Sequence, residues 1–204
     1  MIRLLEPTTS VPVVVTFLRM DKAPAQAAPA LPDGVRVERL SPRCTLAHYR
    51  KLYAEVGQDY LWWLRRTLSD ADMEEILVDR RISISVLRDA HGDLGFYELD
   101  RRSPNRMINL AYFGLLPRAI GLGMGMPFLH HAIDTAWGEG CSALTVNTCT
   151  ADHPRALPNY VRAGFHKLRQ AAEIWPVPNR LGLRIPRHMR AHAPLGPPLA
   201  PGRT

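Results

Sequence analysis

The sequence predicts an α/β fold in which antiparallel strands precede a β-loop-α-β unit. Apolar residues recur at helical spacing between Leu46 and Val56, which is typical of an amphipathic helix. From Ile82 onward the period of the apolar residues changes to two, which indicates strands. An apolar run that includes Tyr112 leads through a proline and several glycines into a second helical pattern. A strand, a tight loop and a helix are therefore expected there in succession.

Two strands open the chain. The sequence predicts them at residues 13–20 and 35–40. A linker rich in proline and alanine, residues 23–34, separates the two strands. We therefore divide the chain into three parts, which are an N-terminal strand with its linker at 1–34, one folded domain at 35–175 and a basic, proline-rich tail at 176–204.

Helices and a hairpin follow the second strand. The first helix is expected to stop at Gly57, and Ser69 with Asp72 resembles a capping box for a second helix. The turn at residues 90–93 joins two strands with alternating apolar residues, which predicts a hairpin. Residues 107–114 and 143–149 are the strands expected before the glycine-rich loop and after its helix.

Length and composition indicate a single core and an intracellular enzyme. With 204 residues, 46% of them apolar, the chain can bury a full core without metals or disulfides. Its three cysteines show neither a disulfide pattern nor a metal-ligand spacing, so no metal is expected. No apolar run reaches the roughly 18 residues of a membrane span, and Glu6 and Pro7 interrupt the apolar start. We expect a cytoplasmic protein that does not enter a membrane.

The positive charge is concentrated in the tail. Residues 176–204 contain five arginines, seven of the eighteen prolines and no acidic residue, which leaves only +2 of the net charge of +7 for the rest of the chain. Such a composition is typical of a solvated or loosely docked segment. An arm that binds anions or a partner is the sharper alternative, but the nearly neutral domain does not favour nucleic acid as a partner.

The glycine-rich loop, residues 120–125, carries the strongest functional signal. A strand that ends in such a loop and opens a helix directs unpaired backbone amides and the positive end of the helix dipole to one point, which suits phosphate. A kinase-type P-loop would need Gly-Lys-Ser/Thr, but Met126 and Pro127 follow Gly125. A dinucleotide fingerprint would need GxGxxG near the start of a βαβ unit, whereas this loop has GxGxG past the middle of the chain. A plain tight connection between strand and helix is the simplest alternative.

Two motifs of the chain resemble motifs A and B of the GNAT acyl-CoA N-acyltransferases. Pro117, the GxGxG run and a helix beginning near Met124 resemble motif A, and Tyr160 through Phe165 resembles motif B. The resemblance covers roughly residues 35–168. It implies an α+β fold with a mixed, mostly antiparallel sheet that has a central splay and flanking helices.

The resemblance also implies that the loop amides bind the pyrophosphate of coenzyme A. Arg118 with the first two loop glycines matches the letters of the family pattern, whereas counting from Pro117 puts Ile120 in the first place. We prefer the second register because the helix then begins where an apolar stripe begins. Strand amides beside the loop would pair with pantetheine, and the amide of Leu115 would polarise the thioester carbonyl. The coenzyme A contacts implied in this way are Phe113, Leu115, Leu116, Ile120, Gly121, Leu122, Gly123, Met124, Gly125 and His153.

Direct attack of an amine on a thioester needs one group that accepts a proton and one that donates a proton. Tyr160 stands where motif B carries the tyrosine assigned as general acid, and a core tyrosine is the plain alternative. The glutamate that many relatives carry before the loop is missing, with Asn109 the polar residue there. Glu98 on the adjoining strand is therefore the candidate base, unless it pairs with an arginine. A ping-pong route through Cys149 is set aside because no histidine at motif spacing would activate it.

The resemblance places the acceptor over the segment between the first helix and Ile82, which we predict to be helical. Within this segment, residues 58–66 are rich in aromatic and cationic side chains. Adjacent tryptophans cannot share one helix face, so at least one is expected to point towards a cavity. The candidate acceptor contacts are Tyr60, Trp62, Trp63 and Arg65, with a packing role as the alternative.

These features predict an N-acetyltransferase that moves acetyl from acetyl-CoA to a primary amine of a small molecule without a covalent acyl-enzyme. The first alternative is a non-catalytic coenzyme A-binding or regulatory module of the same fold, which the missing strand glutamate favours. The second is a nucleic-acid-binding protein that uses the arginine-rich tail. The sequence leaves a homodimer open.

Overall fold

A seven-stranded sheet forms the centre of the protein. A computed structural model describes residues 6–25 and 27–190. The strands among these residues are β1 (Thr8–Met20), β2 (Arg36–Arg39), β3 (Ile82–Asp89), β4 (Gly92–Asp100), β5 (Met107–Leu115), β6 (Ala143–Cys149) and β7 (His166–Pro178). Their spatial order is β2-β3-β4-β5-β6-β1-β7. Only β5 and β6 run parallel, so the sheet is mixed and mostly antiparallel, as predicted.

Helices cover both faces of the sheet. In the part of the chain that the structure describes they are α1 (Leu46–Gly57), α2 (Asp70–Val78), α3 (Gly125–Gly138), α4 (Ala156–Arg162) and the single turn α5 (Arg187–Arg190). Phe96 and Tyr97 are neighbours in β4 and therefore point to opposite faces. Phe96 packs with residues of α1 and α2, whereas Tyr97 packs with residues of α3 and α4. The α/β fold class is thus confirmed.

Elements with strong local signals lie where the sequence predicts them. α1 ends at Gly57 and β6 has the expected bounds. The capping box of α2 is formed, since the amide of Asp72 donates to the Ser69 hydroxyl at 3.1 Å and the Asp72 carboxylate accepts from the amide of Ser69 at 3.3 Å. β3 and β4 form the predicted hairpin.

The strand β1 is an inner strand of the sheet, a position that the local sequence does not reveal. Residues 15–20 pair with β6, and residues 8–19 pair with β7 on the other side. Residues 8–14 of β1 and 172–178 of β7 therefore extend past the end of β6 as a two-stranded ribbon, called here the terminal ribbon. Its buried residues Val11, Val13 and Val177 pack with Leu61. The division into 1–34, 35–175 and 176–204 stays a prediction, but the sheet joins strands from all three parts.

The basic tail is in part docked onto the protein. Residues 176–178 belong to β7, a short 3-10 helix follows, and Leu183 and Met189 pack in the same cluster as the terminal ribbon. Residues 191–204, including Arg203, lie outside the described residues.

The strands β5 and β6 separate along their length. They pair from Met107 with Ala143 as far as Leu110 with Val146. Beyond these pairs, β5 stays with β4 and β6 stays with β1, and a bulge at Ala111 marks the point of divergence. The predicted central splay is therefore present, as a wedge that opens between the C-terminal ends of β5 and β6.

Candidate active site

A cavity of about 920 Å³ lies at the wedge between β5 and β6. Its walls are the end of β5, the glycine-rich loop with the start of α3, the end of β6 with α4, and the segment that follows α1. Small-molecule sites commonly enclose about 300–1,000 Å³, so the cavity can hold a ligand of that kind.

The glycine-rich loop presents open backbone to this cavity. Gly121 and Gly123 have φ angles of 86° and 78°, which residues with a Cβ rarely adopt. A Cβ at either position would meet no atom within 4 Å, so the space beside the loop is free. α3 begins at Gly125 with no side-chain cap on its N-terminus. Within the described residues, no backbone or side-chain acceptor takes the amides of residues 121–126. The loop therefore has the properties of an anion-binding site.

Arg118 does not take part in this loop. Its guanidinium binds both carboxylate oxygens of Asp89, at 2.9 and 3.0 Å, and the carbonyl of Asp93 at 2.9 Å. It fixes the β3–β4 hairpin instead. This position agrees with the register that counts from Pro117 and puts Ile120 first.

Most of the predicted coenzyme A contacts line the cavity. Those that do are Phe113, Leu115, Ile120, Gly121, Gly123, Met124, Gly125 and His153. Leu116 and Leu122 do not. The amide of Leu116 donates to the carbonyl of Leu94 at 2.8 Å, so the prediction that it faces pantetheine is wrong. The side chain of Leu122 is 59% exposed and lies outside the cavity.

The hydrogen bond of Leu116 also shows which β5 amides face the wedge. Leu116 lies directly opposite Leu94, and opposed residues of antiparallel strands alternate between bonded and non-bonded pairs. Phe113 and Leu115 fall on the non-bonded positions. Their backbone N–H and C=O groups therefore point away from β4, towards the side where β6 has diverged.

Tyr160 lies on α4 with its side chain against the cavity. Its ring contacts those of Phe113 and Phe165, with centroids 6.4 and 5.8 Å away. Its hydroxyl makes no hydrogen bond within the described residues. Burial raises the pKa of Tyr160, and the carboxylate of Asp152 adds to the effect. The phenol therefore stays protonated at neutral pH, as a proton donor must.

Glu98 is fully buried and does not line the cavity. One of its oxygens accepts from the Tyr49 hydroxyl at 2.6 Å, and the other accepts from the Arg65 guanidinium at 2.5 Å. Burial raises the pKa of Glu98, while Arg65 and Tyr49 oppose this rise. The structure thus shows the arginine pair that was the alternative for this residue. The predicted base therefore lies outside the cavity.

Asp152 is a cavity carboxylate that the sequence interpretation missed. It follows β6 by three residues and is half-buried. The hydroxyl of Thr148 and the amide of Cys149 donate to Oδ2 at 2.7 and 2.9 Å, and the indole of Trp62 donates to Oδ1 at 3.4 Å. Burial raises the pKa of Asp152, while these hydrogen bonds oppose the rise. An acid just past the end of a strand that borders the splay was the available signal.

The four predicted acceptor contacts, Tyr60, Trp62, Trp63 and Arg65, all line the cavity. The sequence predicted a helical segment here, but residues 58–63 are not helical. Residues 58–61 form a turn, in which Leu61 has a φ of 56°. Because Leu61 is buried beside the terminal ribbon, the chain reverses there and its neighbours reach the cavity.

Glycine at position 57 leaves room for the side chain of Trp62. A Cβ at Gly57 would overlap the side chain of Trp62, so only glycine allows the indole to fold back over the end of α1. Trp62 then packs on Tyr53 and Tyr112, with ring centroids 5.3 and 5.2 Å away. Arg65 lies over the ring of Tyr112 at 5.3 Å. This side of the cavity is an aromatic wall.

Cys149 lines the cavity as well. Burial raises the pKa of Cys149 to about 12, with a further contribution from Asp152, so this thiol is not ionised at neutral pH.

Among residues 6–25 and 27–190, no three His, Cys, Asp or Glu side chains are grouped to hold a metal ion. A search of the same residues found no helix with the length and apolar character that a membrane span requires.

Comparison with known proteins gives matches at the level of structure. No protein-family profile matches the sequence, and no curated protein matches it. A GCN5-related N-acetyltransferase from Kribbella flavida superposes with a TM-score of 0.57 and 14% identity, over 83% of this chain and 60% of that chain. One from Sphaerobacter thermophilus gives a TM-score of 0.53 and 16% identity, over 84% and 54%. An aminoglycoside acetyltransferase from an uncultured soil metagenomic sample gives 0.52 and 13%, over 64% and 88%.

This chain spans less than two thirds of the length of the first two proteins. At these identities the similarity establishes the fold, and it agrees with the split sheet and the open glycine-rich loop. The chain has the fold of the GNAT N-acetyltransferases, and the resemblance noted in its sequence is confirmed at the level of the fold.

Proposed function

We propose that the protein is an N-acetyltransferase that transfers acetyl from acetyl-CoA directly to a primary amine of a small molecule. The observation that carries the proposal is the shared cavity. The open loop of Gly121 and Gly123, the buried phenol of Tyr160 and the aromatic wall around Trp62 all border it. A site for an anionic cosubstrate, a proton donor and a site for a second substrate are thus adjacent.

Each group has a distinct task in this proposal. The amides of residues 121–126 hold the diphosphate of acetyl-CoA, which supplies the thioester. The backbone groups of Phe113 and Leu115 face the wedge and bind the pantetheine arm, with the N–H of Leu115 directed at the thioester carbonyl. Tyr160 gives its proton to the departing sulfur. The protonated thiol of Cys149 agrees with a direct transfer.

The acceptor side supports a small amine. Tyr60, Trp62 and Trp63 provide flat apolar surface, and Arg65 is largely neutralised by Glu98. Such a wall suits the body of a small molecule that carries the amine. One structural neighbour is named an aminoglycoside acetyltransferase, which is consistent with this substrate class.

The second candidate is a non-catalytic coenzyme A-binding module of the same fold. The observation that favours it is the position of Glu98, whose carboxylate is held by Arg65 and Tyr49 outside the cavity. Without another base the fold could bind acetyl-CoA without turnover.

The test combines binding and turnover. Acetyl-CoA is titrated by calorimetry, and thiol release is then measured with a panel of primary amines. Tyr160→Phe should lower kcat by about 10- to 100-fold, because it removes the proton donor, and should leave acetyl-CoA affinity within about twofold. Tyr97→Phe, a buried tyrosine outside the cavity, is the matched control and should retain turnover. Absence of binding would overturn the proposal, and binding without turnover of any amine would favour the module.

A further inference from the structure

Asp152 occupies a position between the two substrates of the proposed reaction. It borders the same cavity as Tyr160 and the glycine-rich loop. Its Oδ1 accepts a hydrogen bond from Trp62, a member of the aromatic acceptor wall. The carboxylate therefore contacts the acceptor side directly and lies beside the strand end that borders the splay.

The hydrogen bonds of Asp152 fix one oxygen firmly and the other only weakly. Oδ2 accepts two short bonds, from the Thr148 hydroxyl and the amide of Cys149. Oδ1 accepts a single bond of 3.4 Å, which is long for N–H···O. A carboxylate oxygen can accept two hydrogen bonds, so Oδ1 retains room for a donor from a substrate.

The titratable groups whose pKa Asp152 raises are neutral near pH 7, and within the described residues none of the arginines that line the cavity, Arg65, Arg102, Arg155 and Arg162, forms an ion pair with it. The titratable groups whose pKa it raises are Tyr60, Cys149 and Tyr160, and each is protonated and uncharged at that pH. Burial lowers the pKa of the adjacent His153, whose Nδ1 accepts from the amide of Arg155, so this ring is neutral as well. Among the ion pairs of the described residues, none includes Asp152. A carboxylate that lacks a cationic partner is free to attract an ammonium group.

We propose that Asp152 is the general base of this site and that its Oδ1 takes the proton of the acceptor amine. This inference rests on the proposed acetyl transfer. It also removes the main argument for a non-catalytic module, because the cavity then contains a base as well as an acid.

Each proton and electron pair of the step is accounted for. Oδ1 takes one proton from the ammonium, and the nitrogen lone pair then forms the N–C bond while the C–S bond breaks with its electron pair on sulfur. Tyr160 protonates the sulfur, and the second proton lost by the nitrogen restores the phenol. Asp152 afterwards returns its proton to water. The products are the amide and free coenzyme A.

The test is Asp152→Asn in the full chain, assayed by thiol release with the best amine of the panel. We expect kcat/KM for the amine to fall by about 100- to 1,000-fold near pH 7, with acetyl-CoA affinity by calorimetry within about twofold. The defect should shrink by about tenfold for each pH unit towards about pH 9.5, because solution then deprotonates the amine. Such a recovery would not follow from a merely structural role.

The matched control is Asp134→Asn, which changes an exposed aspartate of α3 and should behave as the wild type. If the wild type has no turnover with any amine, the proposed function itself fails. If the wild type is active and Asp152→Asn keeps kcat/KM within about threefold at pH 7, or shows no recovery at high pH while still binding acetyl-CoA, the assignment of Asp152 is wrong.

Discussion

The two carboxylates beside the acceptor wall, Glu98 and Asp152, lie in different surroundings. Glu98 is fully buried, lies outside the cavity and accepts from the guanidinium of Arg65 and the phenol of Tyr49. Asp152 is half-buried, borders the cavity and accepts from three neutral donors. Burial raises the pKa of both. For Glu98, however, a fixed cation occupies the place that a substrate ammonium would need.

The difference shows that burial alone does not identify a base. A buried carboxylate with an arginine partner is satisfied and contributes to the structure, whereas one with only neutral donors keeps its attraction for a cation. Glu98 and Arg65 together behave as one neutral unit beneath the aromatic wall. Asp100 also lines the cavity, but Arg102 binds it at 2.6 Å, so Asp152 is the cavity carboxylate that has no cationic partner among the described residues.

The largest effect expected from this comparison is on stability. Arg65→Met should lower the free energy of unfolding by about 3–5 kcal/mol, because Glu98 would remain buried without its cation. Urea unfolding at neutral pH measures the change. The double variant Arg65→Met/Glu98→Leu should recover part of the loss, since an apolar pair needs no charge compensation but leaves the Tyr49 hydroxyl without its acceptor. A loss of less than about 1 kcal/mol in the single variant would contradict the role given to the pair.

A smaller effect is expected on the pH dependence of turnover. Asp152 must be ionised to accept a proton, so kcat/KM for the amine falls as the pH drops through its pKa. Thr148→Val removes a donor to the ionised carboxylate and should raise this pKa, since the hydrogen bond from the Thr148 hydroxyl lowers it in the wild type. The acid limb of the pH profile should therefore move to higher pH.

Thr145→Val is the control for that measurement. It removes a hydroxyl from the same strand, where it bonds to Asn109 rather than to Asp152, and should leave the acid limb in place. An unchanged limb in Thr148→Val, or an equal shift in both variants, would argue against Asp152 as the titrating base.

The smallest effect on the pH profile is expected from the bond between Trp62 and Oδ1 of Asp152. Trp62→Phe keeps an aromatic ring on the wall but removes the 3.4 Å bond to Oδ1. Because this bond is long, the acid limb should move to higher pH by less than it does in Thr148→Val. The same pH profile measures it. A larger shift than that of Thr148→Val would mean that Oδ1, and not Oδ2, carries the main stabilising contacts.

Local signals predicted much of the fold. The end of α1 at Gly57, the capping box at Ser69 and the bounds of β6 follow from residues within one turn or one strand. The place of β1 between β6 and β7 could not be predicted in this way, because its partners are more than 120 residues away in the chain. β7 itself was missed because its apolar residues do not alternate with polar ones and it includes Pro176 and Pro178; most of its positions are exposed, as suits an edge strand.

The residues that line the cavity could be predicted in outline, but the surroundings of Glu98 could not. The loop glycines, Tyr160 and the aromatic residues after α1 line one cavity, because the motifs that predict them are contiguous in sequence. Whether Glu98 is free to act as a base depends on whether Arg65 reaches it across the fold. The sequence contains Glu98, Asp152 and Arg65, but it does not give the distances between their side chains.

The inner position of β1 has a consequence for how the protein folds. Residues 8–20 pair with partners between Ala143 and Pro178, so each pairing closes a loop of more than 120 residues. Closing such a loop costs conformational entropy before any contact is gained, and such distant pairings are slow to form. We therefore expect the hairpin of β3 and β4, whose strands are neighbours in the chain, to form before β1 joins the sheet.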